Sequence, residues 1–142
     1  MVYPALVTEA HRKTIRVVAA VVERDGRYLI TQRRPAAVLP LLWEFPGGRV
    51  EDGETDVAAL RRELRERLDV EAEIGKLISY RPWPYEHYTV ELYLYECTLL
   101  TEKLTCKAVQ DYRWVTSDEF DDYPFTPADE ASMTRLLGET DD

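Results

Sequence analysis

The chain has 142 residues, 45% of them hydrophobic and 32% charged, which favours one soluble domain with a sizeable core. Its net charge of −9 argues against a nucleic acid polymer as partner, because binding along a phosphate backbone requires a basic face. The sequence has no apolar run of membrane-spanning length, no signal-peptide pattern and no paired cysteine motif. A cytoplasmic protein without a membrane partner is therefore expected, and a monomer and a homodimer both remain open.

The N-terminal part of the chain is predicted to form a leader and a β-hairpin. Residues 1–13 show no clear periodicity and are predicted to be a loosely held leader. A run of valine and alanine at 14–23 predicts a buried strand. The Asp25-Gly26 pair is typical of a tight hairpin turn, so residues 27–33 are predicted to return as the second strand.

The middle of the chain, residues 43–70, combines a glycine turn with a helical pattern. A strand-like Trp-Glu-Phe segment precedes a Pro-Gly-Gly turn at 46–48, and an acidic loop follows at 51–54. Thr55 is typical of a helix N-cap. Apolar residues then recur at helical spacing and predict a buried stripe, formed by Val57, Leu60, Leu64 and Leu68.

Three charged residues of this helix are predicted to converge beside the glycine turn. Glu63 and Glu66 are three residues apart and share a face, and Arg67 lies one turn after Glu63. For a single Glu–Arg pair, a solvated helix with a surface ion pair is the common outcome. The spacing alone therefore allows both a functional cluster and an ordinary helix surface.

The second half of the chain predicts strands followed by a final helix. Strands are predicted at 70–80, 88–100 and 112–115, with a proline- and aromatic-rich turn at 81–87. A helix is predicted at 127–137, with its proline near the start, where proline is tolerated. The order strand, strand, helix, strands, helix predicts an α+β fold with a mixed β-sheet between helices.

The segment around the glycine turn resembles the signature of the Nudix hydrolases, G-x5-E-x7-R-E-U-x-E-E-x-G-U with U apolar. The matching positions are Gly48, Glu54, Arg62, Glu63, Leu64, Glu66 and Val70. The preceding Trp-Glu-Phe-Pro-Gly at 43–47 is similar to the MutT-like branch in particular. The resemblance covers roughly residues 17–137 and implies an α/β/α sandwich, a single Nudix domain at 14–138, before an acidic tail at 139–142.

The resemblance implies a hydrolase of a nucleoside triphosphate or a related nucleoside diphosphate derivative, which releases nucleoside monophosphate and pyrophosphate. It implies Mg²⁺ as cofactor, with Mn²⁺ as a substitute, because adjacent phosphates repel an attacking hydroxide unless their charge is neutralised. Glu63 and Glu66 are the implied catalytic metal ligands, helped by the carbonyl of Gly47. The implied structural positions of the motif are Gly48 and the ion pair of Glu54 with Arg62.

Three positions depart from the family pattern. Arg67 stands where the family has a metal-binding glutamate, and Asp69 stands where it has glycine. Ala108 stands where MutT-like sequences often place a further metal-binding glutamate, and Asp111 is the nearby acid. Arg67 would either pair with Glu63 or hold the diphosphate where the metal would have been. Weak activity is therefore expected, and the alternative is a catalytically inactive Nudix domain that binds nucleotides or a protein partner.

Residues outside the motif are implied as nucleotide contacts, together with Arg67. Arg33 and Asp129 match positions that contact the nucleotide and read the base edge in the MutT-like branch. An aspartate favours a base edge with donors, such as the amino group of cytosine, but Asp129 is equally typical of a helix first turn. Phe125 or Trp83 would stack on the base, although aromatic residues are more often part of the core.

Overall fold

The computed structural model describes residues 13–136. The acidic tail predicted at 139–142 and residues 1–12 of the predicted leader lie outside the described residues, while Lys13 already belongs to the first strand. The elements in chain order are β1 (Lys13–Val21), β2 (Glu23–Arg24), β3 (Arg27–Gln32), β4 (Trp43–Glu44), β5 (Gly47–Arg49), α1 (Asp56–Leu68), β6 (Ala72–Pro84), β7 (Tyr88–Leu99), β8 (Asp111–Val115), a 3-10 helix (Ser117–Asp122) and α2 (Pro127–Leu136).

Two sheets position the elements. The first has the strand order β5-β1-β7-β6, in which β1 and β7 are parallel and the other neighbours are antiparallel. In the second, β3 pairs antiparallel with β2, β4 and β8. The β2–β3 hairpin turns at Asp25 and Gly26, both at positive φ, as the sequence predicts.

Strand β1 is buried toward its C-terminal end, and its side chains alternate between two core clusters. Val18 packs in a cluster with the leucines of α1, whereas Ala19 packs in a second cluster with Ala128 and Met133 of α2. The mixed sheet therefore lies between helices, which confirms the predicted α+β fold and the α/β/α sandwich. Within residues 13–136, neither helix has the length and apolarity needed to cross a bilayer.

Helix α1 begins as predicted, because the Thr55 hydroxyl accepts a hydrogen bond from the Ala58 N–H at 3.1 Å. The predicted buried stripe is correct at its three leucines and wrong at Val57, which is 37% exposed. Buried residues follow rows of every fourth position, and the row through the leucines leads back to Asp56. Asp56 turns toward the sheet, where Arg16 Nε donates to its carboxylate at 2.8 Å.

The strand β6 extends further than the sequence predicts. It runs to Pro84, so most of the turn predicted at 81–87 is strand. In the described part of the chain β6 is one of the two edge strands of its sheet, and Pro82 and Pro84 lie at its end. Proline is tolerated on an edge strand because its missing N–H removes no central ladder bond.

Candidate active site

The glycine turn brings β5, β1 and α1 close together. Gly47 pairs with Ala19 and Gly48 pairs with Val18 across the β5–β1 ladder. A Cβ atom on Gly48 would overlap the carboxylate of Glu63, and one on Gly47 would overlap the backbone of β1. The two glycines are therefore required by close approach, and Gly48 leaves the space that the Glu63 carboxylate occupies.

Glu63 is 7% exposed and has both carboxylate oxygens engaged by guanidinium groups. Its Oε1 accepts from Arg67 Nε at 2.6 Å, and its Oε2 accepts from Arg62 Nη1 at 3.1 Å. These bonds offset the desolvation of the carboxylate, because a buried charge is tolerated when it is paired and hydrogen-bonded.

Arg62 connects the acidic loop to the helix. Its Nε and Nη2 donate to the two oxygens of Glu54 at 2.7 and 2.9 Å, and Nη1 donates to Glu66 Oε1 at 3.2 Å. Nη2 also donates to the carbonyl of Arg49 at 3.0 Å. The bonds from Arg62, followed by one from the Glu51 N–H, lower the pKa of Glu54 to about 2.

The oxygen atoms beside the glycine turn provide part of the ligand set that a hard cation requires. Carboxylate and carbonyl oxygens suit Mg²⁺, and Glu63, Glu66 and the Gly47 carbonyl would supply them. Glu66 is accessible, with 61% of its side chain exposed. Within residues 13–136, however, no group of three or more acidic, histidine or cysteine side chains is arranged for a metal ion. The residues therefore fit an ion held by two carboxylates, one of which is also bound to Arg67.

A cavity of about 550 Å³ joins the glycine turn to the first turn of α2. Gly48 and Arg67 of the motif line it, and so do Thr126 and Asp129 at the N-terminal end of α2. The apolar lining from the first sheet comes from β1 and β7, through Ile15, Val17, Ala19, Val90 and Leu92. A volume above about 300 Å³ with an apolar lining and few polar groups is typical of a small-molecule site.

Two carboxylates line this cavity, Asp129, which is buried, and Glu44, which is partly buried. Burial raises the pKa of Glu44, although Arg33, whose Nη1 lies 3.3 Å from Glu44 Oε1, and Arg67 act in the opposite direction. Burial, and then the charge of Glu44, raises the pKa of Asp129 to about 7. Asp129 accepts from the Phe45 N–H at 3.0 Å and from the Thr126 hydroxyl at 2.5 Å, so it also holds α2 against the glycine turn.

Sequence reasoning missed Glu44. The available signal is a charged residue between Trp43 and Phe45, two aromatic residues that are 7% and 2% exposed. A carboxylate in such a segment is unusual, because carboxylates are almost never fully buried without a partner. The partner here is Arg33, which also lines the cavity.

Phe125 lies in the core, which was the more common of the two outcomes considered for it, and not on an open face for a base. It belongs to the second core cluster, with ring centroids 5.7 Å from Phe120 and 6.4 Å from Phe45. Trp83 packs against the same cluster. Among the described residues, the aromatic rings that line the cavity are those of Phe45, Tyr85, His87 and Tyr88, so a stacking contact with a ligand would come from them.

The loop before β8 lies against the end of α1 without supplying a carboxylate to the cavity. The Ala108 N–H donates to the Arg67 carbonyl at 3.2 Å. Ala108, where MutT-like sequences often have a glutamate, therefore lies beside the C-terminal end of α1. Asp111 instead bonds Arg113 Nη1 at 2.7 Å and is absent from the cavity lining within residues 13–136. The structure therefore gives no support to Asp111 as a substitute metal ligand.

Comparison with known proteins identifies the family. A model of the NUDIX domain matches residues 17–135. The chain is 37% identical over 117 residues to the CTP pyrophosphohydrolase of Escherichia coli, covering 82% of this chain and 87% of that protein. It is 30% identical over 130 residues to the 8-oxo-dGTP diphosphatase of Haemophilus influenzae, covering 91% and 96% of the two chains.

Solved structures agree with this assignment. The solution structure of the E. coli ORF135 protein superposes with a TM-score of 0.76 at 32% identity, covering 93% of this chain and 95% of that chain. The crystal structure of the MutT protein from Methanosarcina mazei Go1 gives a TM-score of 0.81 at 18% identity, covering 93% and 99%, and shows the fold alone. The chain therefore belongs to the Nudix hydrolase family and is a MutT-like member of it.

Proposed function

We propose that the protein hydrolyses a nucleoside triphosphate to nucleoside monophosphate and pyrophosphate, or a related nucleoside diphosphate derivative to nucleoside monophosphate and the phosphorylated second group. The proposal rests above all on one cavity whose lining contains both the motif residues Gly48 and Arg67 and the α2 residue Asp129. In this proposal Gly48 and Arg67 hold the phosphates, and Asp129 holds the base.

Charge supports an anionic substrate. Among residues 13–136, the cavity lining contains the basic residues Lys13, Arg33, Arg49 and Arg67 against the acidic residues Glu44 and Asp129. The chain as a whole carries a net charge of −9. The cavity is therefore locally basic in an acidic protein, and a cleft lined by one sign of charge concentrates ligands of the opposite sign.

Asp129 supports a base with an exocyclic amino group. In its ionised form each carboxylate oxygen retains a lone pair beyond the bonds from Phe45 and Thr126. Cytosine presents an N4 amino donor to such an acceptor. The E. coli relative is named for CTP, so cytidine nucleotides are the first substrates to test.

The proposed cofactor is Mg²⁺, with Mn²⁺ as a substitute, held by Glu63, Glu66 and the carbonyl of Gly47. When bound, the ion would neutralise phosphate charge and lower the pKa of the attacking water. Arg62 orients both glutamates through its bonds to Glu63 and Glu66. Arg67 occupies Oε1 of Glu63 and lines the cavity, so its guanidinium is placed to bind a phosphate as well.

An inactive nucleotide-binding domain is the second candidate. The Arg67–Glu63 bond at 2.6 Å favours it, because a fixed cation competes with a metal for that carboxylate. Ala108 favours it too, since no carboxylate stands beside the end of α1 at that position. In this case the same cavity and its charges would bind a nucleotide without hydrolysing it.

A release assay separates the two candidates. Pyrophosphate and phosphate release should be measured across the ribo- and deoxyribonucleoside triphosphates, with Mg²⁺ or Mn²⁺. Release that falls to background in Glu63→Gln supports the hydrolase, whereas nucleotide binding without release supports the inactive domain. Asp129→Ala should weaken nucleotide binding and leave metal affinity unchanged, and unaltered nucleotide affinity would count against the base pocket.

A further inference from the structure

The loop between β3 and β4, residues 33–42, forms one wall of the cavity. Val38 and Leu39 of this loop are among the lining residues. Val38 is 65% exposed, which leaves an apolar side chain at the surface beside the cavity. A large exposed apolar residue that faces a cavity differs from a scattered surface residue, because a ligand in the cavity would cover it.

The backbone of this loop is held in an uncommon conformation. Leu39 has φ 56° and Leu41 has φ 64°, both in the left-handed region. Bulky side chains rarely adopt this region, and such residues persist where the surrounding structure fixes them. This conformation therefore requires contacts that hold the loop, both where its two ends meet and within it.

Arg33, the first residue of the loop, supplies these contacts. Its N–H donates to the Leu42 carbonyl at 2.8 Å, and its carbonyl accepts from the Leu41 N–H at 3.2 Å. Its side chain reaches into the loop, where Nε donates to the Val38 carbonyl at 2.6 Å. Nη1 of the same guanidinium lies 3.3 and 3.4 Å from the two carboxylate oxygens of Glu44.

The guanidinium thus connects the partly buried carboxylate of Glu44 to the backbone of the cavity wall. Two of its three nitrogens are committed to protein acceptors, Nε to Val38 and Nη1 to Glu44. Arg33 was expected to contact the nucleotide directly. Its bonds instead favour an action through the loop, since moving the guanidinium onto a ligand would release the Val38 carbonyl.

We propose that Arg33 is a positioning residue that fixes loop 33–42, and that Val38 and Leu39 determine specificity by packing against the nucleobase. This proposal rests on the proposed nucleotide substrate. The faces of a base are apolar, and the wall formed by Val38 and Leu39 shares the cavity with the apolar side chains of β1 and β7. The position of the wall would then set how large a base the cavity accepts.

Hydrogen–deuterium exchange of the full chain, without nucleotide, tests the positioning role. Arg33→Gln removes the charge, and Arg33→Lys keeps it but cannot reproduce a planar fork with two acceptors. Both variants should speed exchange of the Leu41 amide about tenfold or more, since hydrogen bonds to charged groups are stronger than average. Arg27→Gln, at the exposed start of the strand β3 that leads into Arg33, is the matched control. Unchanged exchange in both Arg33 variants would overturn the proposal.

A double-mutant cycle tests the action through Val38. With cytidine and guanosine monophosphate as probes, Arg33→Gln and Val38→Gly should each weaken binding about tenfold. The double variant should bind no more weakly than the worse single variant, because both changes remove the same wall. Additive losses would show that Arg33 contacts the nucleotide itself and would overturn the proposal.

Inorganic pyrophosphate separates this proposal from the proposed function. Arg33→Gln should weaken pyrophosphate binding far less than nucleotide binding, because Glu44 already pairs with the Arg33 charge. An equal loss for pyrophosphate and nucleotide would identify Arg33 as a phosphate ligand instead. If the natural protein binds neither monophosphate, the nucleotide function fails and the specificity role of Val38 and Leu39 is overturned with it. The exchange of loop 33–42 still decides the positioning role of Arg33 in that case.

Discussion

Nε of Arg67 lies 2.6 Å from Oε1 of Glu63, one helical turn earlier on α1. The two side chains are only 29% and 9% exposed, so solvent screens this pair less than an ordinary surface ion pair. A guanidinium therefore holds a carboxylate oxygen that a metal ion would otherwise use. The same guanidinium lines the cavity, so it can bind either Glu63 or a substrate phosphate.

The first prediction follows from this competition. Turnover of the natural protein should lie well below the common range of roughly 1 to 1000 per second. Arg67→Glu removes the competing cation and adds a ligand, so Mg²⁺ affinity and turnover should both rise, by about tenfold or more if one charged interaction is gained. Ala108→Glu, beside the end of α1, should raise both further. Calorimetric Mg²⁺ titration and pyrophosphate release measure the two effects.

The control for this series is Arg61→Glu, which makes the same charge change at an exposed position of α1. It should leave Mg²⁺ affinity and turnover close to their natural values. Fast turnover with tight Mg²⁺ in the natural protein, together with no change in Arg67→Glu, would show that the Arg67–Glu63 pair does not limit the site.

Gly48 gives the second prediction, because a methyl group there would overlap the Glu63 carboxylate. Gly48→Ala should displace that carboxylate, abolish turnover and lower the free energy of unfolding by about 1–3 kcal/mol, as overpacking does. In a Glu63→Ala background the overlapping atoms are absent, so the same glycine change should be far less destabilising. Urea unfolding of the single and double variants measures the difference, and an equal loss in both backgrounds would contradict the overlap.

The sequence predicts the parts of the fold that depend on local chemistry. The Asp25-Gly26 hairpin and the Thr55 cap both occur as expected, because turn and cap preferences act within a few residues. The predicted end of β6 was wrong, because Pro82 and Pro84 indicate a turn unless the strand is known to lie at the edge of the sheet. Edge position is a property of the sheet and cannot be read from the strand itself.

The sequence could not place side chains whose surroundings depend on long-range packing. For Phe125 both base stacking and a core position were open, and its ring packs with Phe45 and Phe120 from other segments. Glu44 was missed because its importance arises from Arg33 and Asp129, which reach it from other parts of the chain. Helical spacing did indicate the Glu63–Arg67 pair, since residues four apart on a helix are neighbours.

The third prediction compares two arginines of α1. Arg62 bonds Glu54, Glu63, Glu66 and the Arg49 carbonyl, whereas Arg65 forms an exposed pair with Glu71. Arg62→Gln should lower the urea midpoint clearly and speed proteolysis of the acidic loop, because the buried carboxylate of Glu63 loses a partner. Arg65→Gln should change neither, since exposed pairs contribute little. Equal midpoints for the two variants would show that the Arg62 network does not stabilise the fold.

The fourth prediction concerns pH and Asp129, whose pKa is raised to about 7 by burial and by Glu44. An unfolded aspartate titrates near pH 4, so between about pH 4 and 7 the folded protein binds more protons than the unfolded chain. The free energy of unfolding should therefore fall as pH rises through that window and level off above it. Burial also raises the pKa of Glu44, so it acts in the same direction.

Asp129→Asn tests this pH dependence, because an amide can still accept from the Phe45 N–H and donate to the Thr126 hydroxyl, the two partners of the natural carboxylate. The variant stays neutral, so thermal unfolding at pH 5 and pH 8, without metal or nucleotide, should show a smaller loss of stability than in the natural protein. Asp121→Asn, at an exposed acid, should reproduce the natural dependence. If the stability of the natural protein and of Asp129→Asn changed equally with pH, Asp129 would be ionised throughout this range. A cytosine amino group would then donate to an acceptor whose charge does not change with pH.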